Sequence, residues 1–203
     1  MPTDHRKVAA VDHPVHQLIA TRWSPYSLDP RTVEREQLLS CLEAARWAAS
    51  SFNEQPWYFL VARRESEQEF DVMLDCLLPA NQEWAKDTGV LLLTVVSKTF
   101  SRNNKPNRVA EHDLGLAVGN LTLQATALGL SVHQMAGVDL EKIRQTYDIP
   151  QTHDPVTAIA LGHAAVLDRA THEALAERDQ TPRSRKSLDE FVFSSKWNQP
   201  ATI

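Results

Sequence analysis

A polar corner at residues 50–55, set between two apolar segments, constrains this chain more than any other feature. The preceding segment, residues 35–49, predicts an amphipathic helix, because its apolar residues recur at spacings of three and four. Pro56 cannot continue a helix, and the apolar run at 57–62 predicts a strand that is buried on both faces. The hydroxyl and amide side chains of the corner need partners, which are either local caps or a bound polar molecule.

The remaining elements alternate without internal repeats or long linkers. Hydrophobic spacing predicts buried strands at 90–96 and 157–162, and helices at 15–21, 66–78, 110–128 and 139–147. Polar segments at 97–107 and 168–187 are expected to lie outside the core. The apolar tail at 191–193 is too hydrophobic to remain exposed and is expected to dock on an apolar surface. We therefore predict a single domain over 1–203, with its core at 13–193.

Composition and charge exclude several classes of protein. A chain of 203 residues with 42% hydrophobic and 23% charged residues has the composition of a globular domain. Its net charge of −5 argues against a nucleic-acid-binding protein, which usually carries a basic surface. No window approaches the roughly 20 apolar residues of a membrane helix, and residues 1–7 lack the apolar stretch of a signal peptide. We expect a cytoplasmic protein that binds neither nucleic acid nor membrane.

Motifs for metal or nucleophilic chemistry are weak. Cys41 and Cys76 have no metal-ligand spacing and are expected to be buried thiols. Glu111, His112 and Asp113 are consecutive on a predicted helix, so their side chains diverge and cannot share a metal ion. Composition does not exclude Ser-His-Asp catalysis, but there is no Gly-x-Ser-x-Gly elbow and no Gly-rich phosphate loop. The sequence therefore predicts no metal site and identifies no catalytic residue.

Four blocks of sequence, in the right order, resemble the nitroreductase family of flavoproteins. They cover most of residues 13–193, although no single block is specific. The blocks are the tripeptide at 22–24, the corner with Pro56 and Trp57, the run 113–137 with its continuation at 155–162, and the basic segment 183–188. The resemblance implies an α+β fold of three α/β/α layers, in which helices flank a central mixed, mainly antiparallel sheet. It also implies a homodimer whose C-terminal segment is exchanged with the partner.

The resemblance further implies that the chain binds flavin mononucleotide (FMN) through its phosphate. Arg22 and Arg185 are expected to bind the phosphate, with Arg183 and the hydroxyl of Ser24 assisting. Guanidinium groups suit this role because they can donate two parallel hydrogen bonds to a phosphate.

Other matching positions are expected around the ribityl chain and the ring. Asn81 would approach the pyrimidine edge of the flavin, and the backbone of Met135, Ala136 and Gly137 would lie near the ring and its N5 atom. Three residues of the corner would reach the flavin of the neighbouring subunit: Ser50, Ser51 and Asn53. Gln55 is also expected to bind the cofactor.

Two expected site residues depart from the family pattern. Trp23 replaces a basic residue or histidine, and Tyr26 stands where many members have lysine or arginine. Fewer cations near the pyrimidine edge would stabilise an anionic reduced flavin less well, so the redox potential and the rate are left open. Trp23 would pack either on the flavin or on the dimer surface.

By this resemblance the protein is an FMN-dependent oxidoreductase. A hydride from NADH or NADPH would pass to FMN N5 and then to an electron-poor acceptor (a nitroaromatic, quinone or enone) in a ping-pong mechanism. The alternatives are a specialised relative, either a reductive dehalogenase or a flavin-fragmenting enzyme, and a non-catalytic flavin-binding regulatory protein. The sequence names neither the acceptor nor the preferred nicotinamide.

A basic loop adds one hypothesis about specificity. Lys98, Arg102, Lys105 and Arg108 lie within eleven residues, in a region that covers the flavin ring in the family. Their charges would favour a phosphorylated donor or an acidic acceptor. The simpler explanation is a solvated surface loop.

Overall fold

The computed structural model describes residues 7–165 and 173–203. In these ranges, five strands form an antiparallel sheet in the order β1–β5–β3–β2, and β4 also pairs with β5. The strands are β1 (Leu28–Asp29), β2 (Trp57–Arg63), β3 (Val90–Ser97), β4 (Ser131–Met135) and β5 (His153–Ala164). The helices are α1 (Gln17–Thr21), α2 (Arg35–Arg46), α3 (Glu67–Leu74), α4 (Pro79–Ala85), α5 (Ala110–Ala127), α6 (Leu140–Thr146) and α7 (Glu173–Gln180). Residues 1–6, and the part of the predicted polar run at 168–172, lie outside the described residues.

Alternating side chains of the sheet fill two separate apolar cores. On β3, Val90 and Leu92 pack with helices α2 and α5, whereas Leu91 and Leu93 pack with α3, α4 and α6. This alternation follows from the two-residue period of a strand, and it requires a helical layer on each face. The prediction of an α+β fold with three α/β/α layers is confirmed. Every strand pair in the described residues is antiparallel.

Helix α5 is the longest described helix, and its polar side chains fix α2 against it. The amide of Asn120 donates a hydrogen bond to the carbonyl oxygen of Ala44 at 3.2 Å, and Gln124 Nε2 donates to Ser40 Oγ at 2.9 Å. Gly129 follows the helix with a positive φ of 74°, as the sequence predicts for a C-terminal cap. The beginning of α5 lies beside the polar corner, so α5 positions the corner against the sheet.

Several predicted elements differ from those observed. The predicted helix at 66–78 ends early, at Leu74, and Pro79 begins a separate helix that was not predicted, at a position where its missing N–H costs nothing. β4 was not predicted, since His133 and Gln134 interrupt its apolar pattern. The prediction that residues 57–62 are buried on both faces is wrong. β2 is an edge strand of the sheet, and Tyr58 is 51% exposed in the protomer.

The C-terminal tail leaves large aromatic side chains exposed. Phe191 is 56% exposed and Trp197 82% exposed, and residues 192–201 mostly bond among themselves through a bridge between Phe193 and Pro200. Exposed apolar side chains of this size need another surface. Exchange of this segment with a partner stays a prediction.

Candidate functional site

Three arginines that the sequence assigns to a phosphate lie close together. Burial lowers the pKa of the Arg22 guanidinium, and the charges of Arg183 and Arg185 lower it further. Arg22 Nη1 donates a hydrogen bond to Ser24 Oγ at 3.0 Å. Among the described residues, no carboxylate lies within 4 Å of any of the three guanidinium groups. A cluster of like charges without a counter-ion is electrostatically suited to bind an anion.

The N-terminal segment holds Arg183 in this cluster. Arg183 Nη1 donates to the carbonyl oxygens of Lys7 and Ala20 at 3.0 and 2.8 Å. Lys7 is 6% exposed, and its ammonium donates to the carbonyl oxygen of Thr181 at 2.6 Å. The same ammonium lies 5.1 Å from the centre of the Trp23 ring. Lys7 was missed in the sequence, because a lone lysine near a terminus carries no motif.

A buried carboxylate fixes the loop that follows Arg22. Asp179 is 2% exposed and accepts hydrogen bonds from the backbone N–H groups of Tyr26 and Ser27 at 2.9 and 2.7 Å. Because Asp179 belongs to α7, it ties the segment before Arg183 to the segment after Arg22. These partners lie about 150 residues apart in the sequence, so no local pattern predicts the contact.

Tyr26 packs in an aromatic cluster. Its ring contacts Trp84 of α4 and His133 of β4, with centroid distances of 5.4 and 4.6 Å. His133 Nδ1 donates to the carbonyl oxygen of Pro25 at 2.8 Å, and burial is the main cause that lowers the pKa of this histidine. The guanidinium of Arg178 lies over the Tyr26 ring at 5.1 Å. Arg178 of α7 therefore places a positive charge beside Tyr26, the position at which the family resemblance predicts a lysine or arginine.

Asn81 of α4 contacts Gly137, which lies two residues after the end of β4. The Asn81 amide donates to the carbonyl oxygen of Gly137 at 2.9 Å, and Leu78 N–H donates to the same carbonyl at 3.0 Å. A Cβ on Gly137 would lie 2.5 Å from Asn81 Nδ2, so any larger residue at 137 would displace the Asn81 side chain from this position. Met135 is buried and offers only its backbone, whereas Ala136 is exposed. Asn81 lies on helix α4 and not in a loop.

The polar corner has an unusual backbone. Phe52, Asn53 and Gln55 all have positive φ values, of 56°, 56° and 51°. Asparagine tolerates this region, but it costs about 1 kcal/mol or more for a residue such as phenylalanine. Ser50 Oγ accepts the Gln55 N–H at 3.0 Å, which closes the turn internally. Local hydrogen bonds therefore satisfy some of the polar groups of the corner. Asn53 remains exposed and Ser51 remains half-buried.

A second buried carboxylate anchors the corner to α5. Asp113, 2% exposed, accepts the backbone N–H of Ser51 at 2.9 Å through Oδ2, and its Oδ1 lies 3.1 Å from His112 Nδ1. Glu54 Oε1 accepts the N–H of Ser101 at 2.7 Å. The corner is thus bound to α5 on one side and to the basic loop on the other.

The aromatic cluster around Tyr26 and the end of the polar corner lie far apart on the sheet. His133 pairs with Ala160 of β5, while Trp57 pairs through Val96 with Asp154 of β5. These two positions are separated by about 20 Å along the strands and by about 14 Å across the sheet, given 3.3 Å per residue and 4.8 Å between strands.

Other candidate sites do not involve these residues. A cavity of about 300 Å³ beside α3 is lined by residues that include Arg64 and Asp71, and it shares none with the two regions above. Within residues 7–165 and 173–203, no cluster of acidic, histidine or cysteine side chains could hold a metal ion. No helix in these ranges is long and apolar enough to cross a membrane. Both cysteines are buried, and burial raises the pKa of Cys41 to about 11.

Comparisons with known proteins agree with this geometry. The model of the nitroreductase family matches residues 19–89 and 67–163, which include Arg22, Asn81 and the corner. The chain belongs to the nitroreductase family. The resemblance predicted from the four blocks is confirmed.

Solved structures and curated relatives extend this assignment. An oxidoreductase containing FMN superposes with a TM-score of 0.86 at 32% identity, covering 93% of this chain and 96% of that one. A Desulfovibrio desulfuricans protein of known structure, in complex with FMN, gives a TM-score of 0.69 at 26% identity and covers 92% and 99% of the two chains. The major NAD(P)H-flavin oxidoreductase of Aliivibrio fischeri is 21% identical over 89% of this chain and 98% of that protein.

Proposed function

We propose that this protein is an FMN-dependent NAD(P)H oxidoreductase that reduces an electron-poor acceptor. The observation that carries the proposal is the cluster of Arg22, Arg183 and Arg185, which has no carboxylate counter-ion among the described residues. The FMN-containing oxidoreductase at 32% identity and the flavin oxidoreductase of Aliivibrio fischeri support the same cofactor and donor. Cytoplasmic location is part of the proposal, because the donor is a cytoplasmic metabolite.

The residues of the chain fit FMN in two respects. The arginine cluster and Ser24 would bind the phosphate, which needs a concentration of positive charge. Asn81 and the backbone of Gly137, which are joined by a hydrogen bond, would approach the flavin ring together. Bound FMN would supply the hydride chemistry, while the protein supplies orientation and electrostatics.

Donor and acceptor would use one surface in turn. The rings of Tyr26, Trp84 and His133 pack against one another beside Arg22 and would support this surface. Nothing in the site identifies a proton donor from the protein, so the proposal assigns no catalytic residue. Nitroaromatics, quinones and enones are the acceptor classes to test.

We also propose an obligate homodimer with two shared sites. The separation of about 20 Å along the strands between His133, beside Tyr26, and Trp57, beside the corner, supports it, and Ser50, Ser51 and Asn53 would approach the flavin of the other chain. The surface of α5 supports it as well: Leu116 is 41% exposed, and a Cβ on Gly115 or Gly119 would meet nothing within 4 Å. Together with the exposed tail, such an interface would bury more than about 2,000 Å², as permanent dimers do.

The cofactor proposal is tested by flavin content and affinity. The purified protein should be yellow, hold about one FMN per chain and be reduced by NADH or NADPH under anaerobic conditions. Arg22→Ala should weaken FMN binding by about 1.5–3 kcal/mol, the range for a charge-assisted hydrogen bond. It should leave the affinity for riboflavin unchanged, because riboflavin has no phosphate. Arg35→Ala, an exposed arginine paired with Glu36, is the control. A protein that binds FMN and riboflavin equally would contradict the phosphate assignment.

The dimer proposal is tested by deletion of residues 189–203. The truncated chain should lose dimer stability and flavin retention together, because the tail would cover the partner's apolar surface. Light scattering at micromolar concentration measures the mass beside the flavin content. A monomer that retains FMN, with a mass of about 23 kDa for the full chain and less for the truncated one, would contradict the shared site.

A further inference from the structure

A hairpin of the basic loop lies over the corner. Thr99 bridges Pro106, Phe100 N–H donates to the Lys105 carbonyl oxygen at 2.9 Å, and the Ser101 N–H donates to Glu54 at 2.7 Å. Because the last of these bonds joins the hairpin to the corner, residues 100–102 have a fixed position above Phe52. The hairpin is therefore an ordered part of the same surface.

One cation of this loop is distinguished from the others by its contacts. The guanidinium of Arg102 lies 3.8 Å from the centre of the Phe52 ring and 5.5 Å from that of Phe100. The two rings meet edge to face at 5.9 Å. Among the described residues, no carboxylate lies within 4 Å of Arg102, whereas Lys98 is paired with Asp154 at 3.4 Å. In the part of the chain that the structure describes, the positive charge of Arg102 therefore has no ion-pair partner, and it lies over the Phe52 ring.

The position of Phe52 is costly in two ways. Its side chain is 70% exposed, and its backbone has a φ of 56°, which a phenylalanine rarely adopts. Strained residues of this kind persist where the surrounding structure enforces them, commonly at ligand-binding sites. Phe52 lies between Ser51 and Asn53, the two residues proposed to contact the flavin of the partner. Its ring is thus next to the space that an acceptor would enter.

We infer that Arg102, Phe52 and Phe100 form a specificity element that selects planar aromatic acceptors with a negative charge, such as aromatic carboxylates. The rings offer edge and face contacts to an aromatic ligand, and Arg102 offers a charge-assisted partner for its anionic group. This inference rests on the proposed shared site. Of the four loop cations, it assigns the charge preference to Arg102 alone.

The test compares two ligands of the same shape and different charge. Benzoate and benzamide are titrated into the oxidised, FMN-loaded dimer, and their dissociation constants are measured from the change in the visible flavin spectrum. Arg102→Gln should weaken benzoate about fivefold relative to benzamide, the effect of losing an exposed charge pair. Arg102→Lys should retain part of the preference. Lys105→Gln, in the same hairpin and with the same charge removed, should leave the ratio unchanged.

Phe52→Leu tests the aromatic half of the element. It should weaken benzoate and benzamide alike, by about threefold, since it removes a ring contact and keeps the charge. Initial rates with 4-nitrobenzoate and 4-nitrobenzamide should follow the binding ratios.

Three results would overturn the inference. The benzoate-to-benzamide ratio could be unchanged in Arg102→Gln, or Lys105→Gln could lower it equally, which would assign the effect to the charge of the whole loop. If Arg102→Gln lowered the rate with NADPH but not with NADH, the result would assign Arg102 to the phosphate of the donor. A parent protein that binds no FMN would instead contradict the proposed function, so the two failures are distinguishable.

Discussion

The arginine region (Arg22, Ser24, Arg183 and Arg185) and the polar corner at 50–55 are built in opposite ways. The arginine region combines like charges, yet its backbone is ordinary and is held by Asp179, which accepts two N–H groups. The corner carries no clustered charge, but three of its residues have positive φ and Asp113 accepts only one of its N–H groups. In our proposal the first region holds an anion within its own chain. The second would present its side chains to the flavin of a partner chain.

The two regions also store free energy in different forms. Burial, and then repulsion from Arg183 and Arg185, lowers the pKa of Arg22, and a bound phosphate would relieve the repulsion. Strain at Phe52 and its neighbours would be offset by contacts with a ligand or a partner chain. Ligand binding should therefore stabilise both regions, but it acts on charge in one and on packing in the other.

Asp179→Ala should have the largest effect on folding. It leaves the N–H groups of Tyr26 and Ser27 without a partner in a buried position, so we expect a loss of about 3 kcal/mol in the free energy of unfolding. Thermal unfolding of the apo-protein measures it. Asp189→Ala, an exposed aspartate in the tail, should change little and is the control.

Asp113→Ala should cost less, about 1–2 kcal/mol, because one buried N–H loses its acceptor. It should free Ser51 and lower flavin retention through the corner while the arginine region stays intact. Unfolding curves and FMN dissociation constants measure the two effects. If Asp113→Ala destabilises the apo-protein more than Asp179→Ala does, the ranking of the two anchors is wrong.

The smallest expected effect concerns pH and His133. Burial, with the charge of Arg22 as a lesser cause, holds the pKa of His133 below 6.5, so the folded protein disfavours its protonation. The carboxylate of Asp179 and the carbonyl of Pro25 act in the opposite direction. Stability contributed by neutral His133 is present above pH 6.5 and is lost as the pH falls below that value.

A matched variant isolates this contribution. The free energy of unfolding of the parent should fall more between pH 7.5 and 5.5 than that of His133→Gln, by about 1 kcal/mol or less. The difference between the two proteins is needed because His163 also has a lowered pKa and titrates in the same range. If the free energy of unfolding changed equally with pH in the parent and the variant, His133 would not contribute to the pH dependence.

The sequence predicts the layers of the fold better than it predicts the backbone conformation and the contacts around the candidate site residues. Helical and strand periods identify α2, α5, β3 and the middle of β5, since these elements are long and buried. The strain at Phe52 could not be predicted, because only glycine or asparagine signals a positive φ. The contacts of Lys7 and Asp179 could not be predicted either. Both side chains bond to backbone groups of distant segments, and backbone groups leave no signal in the sequence.

Tyr26 shows the same limit at a single position. By resemblance its ring replaces a cation, which predicts weaker stabilisation of a reduced flavin. In the structure, Arg178 of α7 lies over that ring, so a positive charge is present although residue 26 does not supply it. A substitution interpreted alone can therefore mislead when a second segment restores the lost charge.

The central claim is that each site combines the arginines of one chain with the corner of the other. A heterodimer tests it directly: one chain carries Arg22→Ala and Arg185→Ala, and the other carries Ser50→Ala and Asn53→Gly, which preserves the positive φ. The chains are co-expressed with different affinity tags, and flavin is counted in both homodimers and in the heterodimer.

A shared site predicts that each variant homodimer retains almost no FMN. The heterodimer should hold about one FMN per dimer, because one of its two sites combines an intact arginine region with an intact corner. A heterodimer as empty as both homodimers would show that each flavin is held within one chain, and it would contradict the account.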